Sequence, residues 1–131
     1  MVSYTGNNVS VRRLTNGKLP SLPFTRLKEA VLGKKYDLSI VFVGSKMSQE
    51  INKKYRKKNK PTNILSFVLS EESGELVISL GQVRKDAPNF NKSYLDFLGF
   101  LIIHGLLHLK GYDHGKEMEL LESKFSRKFG F

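Results

Sequence analysis

All three histidines of this chain stand within 11 residues, in the segment His104-Gly105-Leu106-Leu107-His108-Leu109-Lys110-Gly111-Tyr112-Asp113-His114. On a helix, His104 and His108 project from one face a single turn apart, so both imidazoles can reach one metal ion. Gly111 is placed to end that helix and turn the chain back, which lets His114 return as a third ligand. Three protein ligands with a fourth position left for water is the usual make-up of a catalytic zinc site. The competing reading is a set of core or pH-sensitive histidines, but three unpaired imidazoles beside an apolar run would leave polar nitrogens unsatisfied. The chain has no cysteine, so thiolate ligands and disulfides are excluded. The expected cofactor is one zinc ion, or another divalent metal such as nickel, since the affinity order for divalent ions does not single out zinc.

The spacing HxxxHxxGxxH is that of the metzincin zinc peptidases, which need a glutamate directly after the first histidine as general base. Position 105 is glycine. A peptidase therefore lacks its proton acceptor, whereas the metal chemistry survives: a divalent ion can acidify water or polarise a phosphoryl oxygen.

Charge points toward phosphate. The chain of 131 residues carries a net charge of +10, and six of its 22 basic residues, Lys53, Lys54, Arg56, Lys57, Lys58 and Lys60, crowd one short run without an acid. A concentrated cationic run is the footprint of a polyanion binder, against the plainer reading of a solvated, lysine-rich helix end. Arginine presents a planar fork suited to phosphate and lysine a mobile point charge. Tyr55 could stack on a base, but its helical spacing from Met47 and Ile51 places it in the core.

The elements that must position these residues are legible in outline. Val9 and Val11 begin a short strand, and Phe24, Leu27, Ala30 and Val31 fall at helical spacing before Gly33. Residues 38–43 read as a buried strand, and Met47, Ile51 and Tyr55 as a helix ending in the basic run, with Pro61 forbidding its continuation. Residues 64–69 and 75–80 form a hairpin across a polar loop. Residues 81–90 are ambiguous, a short helix broken by Pro88. Ser93 with Asp96 opens the apolar histidine helix in a capping-box manner, and Met118, Leu121, Phe125 and Phe129 mark a final amphipathic helix. The expected fold is α+β, a small mixed sheet of about four strands with one antiparallel hairpin, packed by helices, in one domain over residues 1–131. The most apolar segment, residues 97–109, is too short to span a membrane, and residues 1–17 lack the pattern of a signal peptide, so a soluble cytoplasmic protein without a membrane partner is expected.

With these blocks in order, YRKKNKPTNILSF, GELVIS and HGLLHLKGYDH, the chain resembles the YbeY endoribonuclease family of ribosomal-RNA maturation factors. The resemblance implies a single-strand-specific, metal-dependent endoribonuclease acting at the 3′ end of small-subunit ribosomal RNA and in ribosome quality control. The small ribosomal subunit and an assembly GTPase are the implied partners. It implies His104, His108 and His114 as metal ligands and Arg56 as the active-site arginine, a clamp on phosphate. Asp113 is a further catalytic candidate that could orient a ligand or water, or else cap the turn. The chain departs from the family at Asn63, where aspartate is usual, at Val68, where proline is usual, and at Gly74-Glu75, where the pair is Gly-Asp. Two rival functions stand beside the nuclease: a non-catalytic RNA-binding assembly factor with a structural metal, and a zinc peptidase.

Overall fold

The computed structural model describes residues 2–131; Met1 lies outside the described residues. Five strands form one mixed sheet: β1 (Val2–Gly6), β2 (Val9–Arg13), β3 (Asp37–Val43), β4 (Ile64–Ser70) and β5 (Ser73–Ser79), in the order β1-β2-β3-β5-β4. The central pairs β2/β3 and β3/β5 are parallel, and the outer pairs are antiparallel. The sheet is thus mixed as expected, with five strands instead of about four and two hairpins instead of one. The added strand is β1, which folds back on β2 through Asn7 and Asn8 at φ 52° and 61°. Two consecutive left-handed residues are what the tight type I′ hairpin turn demands, and asparagine accepts that conformation better than most.

The described residues form five α-helices: α1 (Phe24–Leu32), α2 (Ser45–Arg56), α3 (Leu80–Asp86), α4 (Tyr94–Lys110) and α5 (Lys116–Phe129), with a 3-10 turn at Ala87–Phe90 that carries Pro88; the first four meet the sheet, and α5 packs on α4. The pleat divides the strand side chains between two layers. Leu38, Ile40 and Phe42 of β3 and Leu76 and Ile78 of β5 join the main core with α1 and α4. Val41, Val43 and Val77 point the other way, into a smaller cluster with Leu65 under Ile51 and Phe67.

Helix α4 is apolar almost all round, because the sheet, α1 and α5 together enclose it. Its start is fixed by Ser93, whose Oγ accepts from the Asp96 N–H at 3.2 Å. Its end follows the Schellman pattern: Gly111 at φ 110° donates to His108 O, and Tyr112 donates to Leu107 O, both at 3.0 Å. No helix among the described residues is long and apolar enough to cross a membrane.

Helix α2 differs from its sequence expectation. Met47 and Tyr55 are exposed, and the residues buried beneath the helix are the polar Ser48 and Asn52. Ser48 Oγ donates to Thr62 O at 2.6 Å and accepts from Thr62 N–H at 3.1 Å, while Asn52 Nδ2 donates to Lys60 O at 2.9 Å. The inner face of α2 is therefore a set of hydrogen bonds that pins the basic loop.

Where α4 crosses the sheet, Gly105 leaves no space for a side chain. A β-carbon there would stand 2.7 Å from Leu76 Cδ2, 2.9 Å from Ile64 Cδ1 and 3.2 Å from Ser66 Oγ. Overpacking a core of this kind costs about 1–3 kcal/mol, while alanine gains about 1 kcal/mol over glycine in a helix. Gly105→Ala is accordingly expected to lower the unfolding free energy by a net of up to about 2 kcal/mol, read as a lower urea midpoint. Gly105→Glu should lower it further, because it drives a charge along the same crowded line; a midpoint equal to wild type in both would show that the contact yields freely.

Candidate metal centre

Helix α4 delivers His104 and His108 to the end of the sheet beside β4, and the turn after Gly111 brings His114 back to them. The three ligand nitrogens lie within 4.8 Å of one another. The His114 ring centroid is 5.3 Å from that of His104 and 4.8 Å from that of His108. All three sequence-expected ligands therefore converge.

The hydrogen bonds fix what the rings can do. His108 Nδ1 is 3.0 Å from Tyr112 O, a carbonyl that can only accept, so Nδ1 carries the hydrogen. His104 Nδ1 is 3.0 Å from Glu122 Oε2, and the carboxylate likewise orients the Nδ1–H outward. In the neutral rings both Nε2 atoms are bare lone pairs, and they face each other at 3.1 Å. Two such acceptors are held at that distance by a cation between them or by a proton on one ring. Tetrahedral ligands at zinc–nitrogen distances of about 2.0–2.1 Å sit roughly 3.3 Å apart. The donor set, its spacing and its tautomers thus fit a divalent metal, and His104, His108 and His114 are the residues that would hold it. Burial first, and then the charge of His104, lowers the pKa of His108, which favours the neutral ring that a metal would need.

A cleft of about 540 Å³ opens over the histidines. Arg56, the last residue of α2, and Tyr55 also line it, with residues 64–67 of β4. Four consecutive strand residues can line one cleft only along a strand edge, and β4 is the sheet's outermost strand. The basic run is thereby divided: Arg56 enters the cleft, while Lys53, Lys57, Lys58 and Lys60 stand exposed around it. Asp113 is exposed on the turn between Tyr112 and His114, and its charge acts on His108. Asn63 donates through Nδ2 to Asp86 Oδ2 at 3.0 Å, tying the start of β4 to α3. At this position the side chain serves as a clip.

Glu122 was missed from sequence. It is 8% exposed on α5, on the buried line Met118, Glu122 and Ser126. A carboxylate one turn after Met118 on a core-facing helix was the available signal, but its partner stands 18 residues earlier in the chain.

The family model for Endoribonuclease YbeY matches residues 9–128. Among curated proteins, Endoribonuclease YbeY of Oceanobacillus iheyensis is 36% identical over 122 residues, covering 82% of this chain and 78% of that protein. The Wigglesworthia glossinidia brevipalpis protein of the same name is 41% identical over 108 residues, covering 72% and 71%. The Geobacillus kaustophilus one is 38% identical over 98 residues, and the match spans 63% of each chain, a little under two thirds of that relative's length. In three dimensions the solution structure of TM1509 from Thermotoga maritima superposes with a TM-score of 0.59 at 27% identity, covering 91% of this chain and 88% of that one.

Removing the carboxylate behind a histidine ligand typically weakens metal binding by about 10–100-fold. Glu122→Ala is expected to fall in that range and Glu122→Gln to lose less, since an amide oxygen still accepts from His104. Zinc competition against a chromophoric chelator measures both; affinities equal to wild type would reduce Glu122 to a space-filling role.

Proposed function

Because the chain belongs to the YbeY endoribonuclease family, we propose that it is a metal-dependent endoribonuclease that cleaves single-stranded RNA during maturation of ribosomal RNA. The observation that carries this reading is the cleft itself, which Arg56 lines together with the three histidines. A divalent cation held by three neutral imidazoles keeps its full +2 charge, which acidifies water and draws electron density from a phosphoryl oxygen.

The protein's own groups supply the rest. Arg56 grips the non-bridging oxygens of the phosphodiester and offsets charge that grows on them in the transition state. Lys53, Lys57, Lys58 and Lys60 hold the flanking backbone in register, contacts that weaken as salt is raised. Glu122 and the Tyr112 carbonyl keep the ligand rings turned, and Asp113 is assigned a positioning role beside His108 and His114, through its charge.

On this reading residues 1–131 act as a single cytoplasmic nuclease domain. Zinc is its proposed metal, nickel the main substitute, and its substrate the small-subunit RNA near the 3′ end. The small ribosomal subunit and an assembly GTPase are its proposed partners, with a further part in ribosome quality control. A second reading, an RNA-binding assembly factor with a structural metal, draws on one observation: no carboxylate lines the cleft among the described residues, so a general base is not at hand. Glycine at position 105 weighs against a peptidase, because the carboxylate such an enzyme needs after its first histidine is absent.

Purified protein assayed by elemental analysis and then on labelled single- and double-stranded ribosomal-RNA fragments tests the proposal. Cleavage is expected only of the single strand and only with metal, and Arg56→Ala should lower kcat by about 10²–10³-fold with the circular dichroism unchanged. A folded, fully metal-loaded wild type that binds RNA without cutting it would establish the assembly-factor reading instead.

A further inference from the structure

Tyr55 and Phe67 line the metal cleft, and they also line a second groove of about 580 Å³ between α2 and the β4–β5 hairpin. The two depressions thus share one aromatic ridge. Tyr55 is 61% exposed on that ridge, although its spacing in the sequence suits a core position. It packs on Phe67 with ring centroids 5.3 Å apart at 71°, and the Lys54 ammonium lies 5.3 Å from its ring centroid. Beyond it the groove presents Val68 and Leu69, 65% and 64% exposed at the outer edge of the sheet. Exposed apolar side chains scattered singly carry no message, but here they continue a site already assigned to a polyanion.

The charges sort what can enter. Glu50 and Glu75 border this second groove, and Glu75 Oε2 accepts from Ser39 Oγ at 3.0 Å. Carboxylates repel a phosphate yet accept hydrogen bonds from the amino groups of nucleobases. The basic loop after Arg56 suits the backbone, and the aromatic and apolar groove suits the bases attached to it.

Resting on the reading of the cleft as an RNA site, we propose that this groove is a base-binding subsite in which Tyr55 is the stacking platform for a nucleobase next to the cleaved phosphodiester. Val68 and Leu69 carry the base after it. Aromatic stacking of this kind tolerates any base, so the subsite fixes the strand's path and leaves its sequence free.

The test is equilibrium binding of the zinc-loaded full chain to fluorescein-labelled 2′-O-methyl uridine hexamers. One carries every base, and the others carry a single abasic position moved along the strand. Wild type is expected to lose affinity by about tenfold at one or two positions. Tyr55→Ala should flatten that profile, Tyr55→Phe should keep it, and Val68→Ser with Leu69→Ser should remove only the neighbouring step, with circular dichroism confirming the fold of each. An unchanged profile in Tyr55→Ala overturns the subsite while leaving the RNA reading of the cleft intact. Failure of wild type to bind any hexamer overturns that reading and the subsite with it. A dimer in sedimentation that Val68→Ser with Leu69→Ser dissociates assigns the groove to a second copy of the chain and likewise overturns the subsite.

Discussion

Helix α4 passes so near strands β4 and β5 that position 105 has no room for a β-carbon, and the placement of the chemistry follows from that separation. His104 stands immediately before the point of contact and His108 one turn after it. Both are thus held at the line where the helix surface meets the free edge of β4. A larger residue at 105 would have to displace the ends of the Leu76 and Ile64 side chains beneath the two histidines. The apolar girth of α4 makes the contact firm, since sheet, α1 and α5 press on it from different sides.

Around that contact, the ligand atoms are aimed by hydrogen bonds from unlike sources. His108 is turned by a carbonyl that the Schellman ending of its own helix presents, so the cap and the ligand geometry are one local structure. His104 is turned by a carboxylate from α5, a separate element that must dock correctly first. A nearly buried carboxylate is expensive to desolvate and is tolerated where it is paired. Its pairing with His104 accounts for a charged residue on the inner line of α5.

What the sequence disclosed was mostly what is local. The i, i+4 histidines, the Ser93 cap and the Gly111 stop are encoded within a few residues of where they act, and they are found as expected. Strand β1 was invisible because five residues with little apolar pattern become a strand only by pairing with β2; the Asn7-Asn8 turn was its one sign. Tyr55 was misplaced for an instructive reason. Periodicity assumes that the apolar stripe faces inward, whereas α2 buries Ser48 and Asn52 and turns Tyr55 outward. The basic run points to phosphate by its charge, but it took the family resemblance to single out Arg56, the one member of the run that lines the cleft. Glu122 depended on a tertiary contact across 18 residues, beyond the reach of any local pattern.

The two walls of the cleft are built from materials of different firmness. The histidine wall belongs to a helix embedded in close-packed hydrocarbon, whose amides open only when much of the molecule opens with them. The Arg56 wall belongs to α2, which rests on a few directional hydrogen bonds to the loop after it and keeps most of its surface in water. With little buried apolar surface beyond Ile51, such a segment is expected to open at lower free energy than the core. The molecule thus sets a stiff anvil, which carries His104 and His108, beside a softer jaw, which carries Arg56.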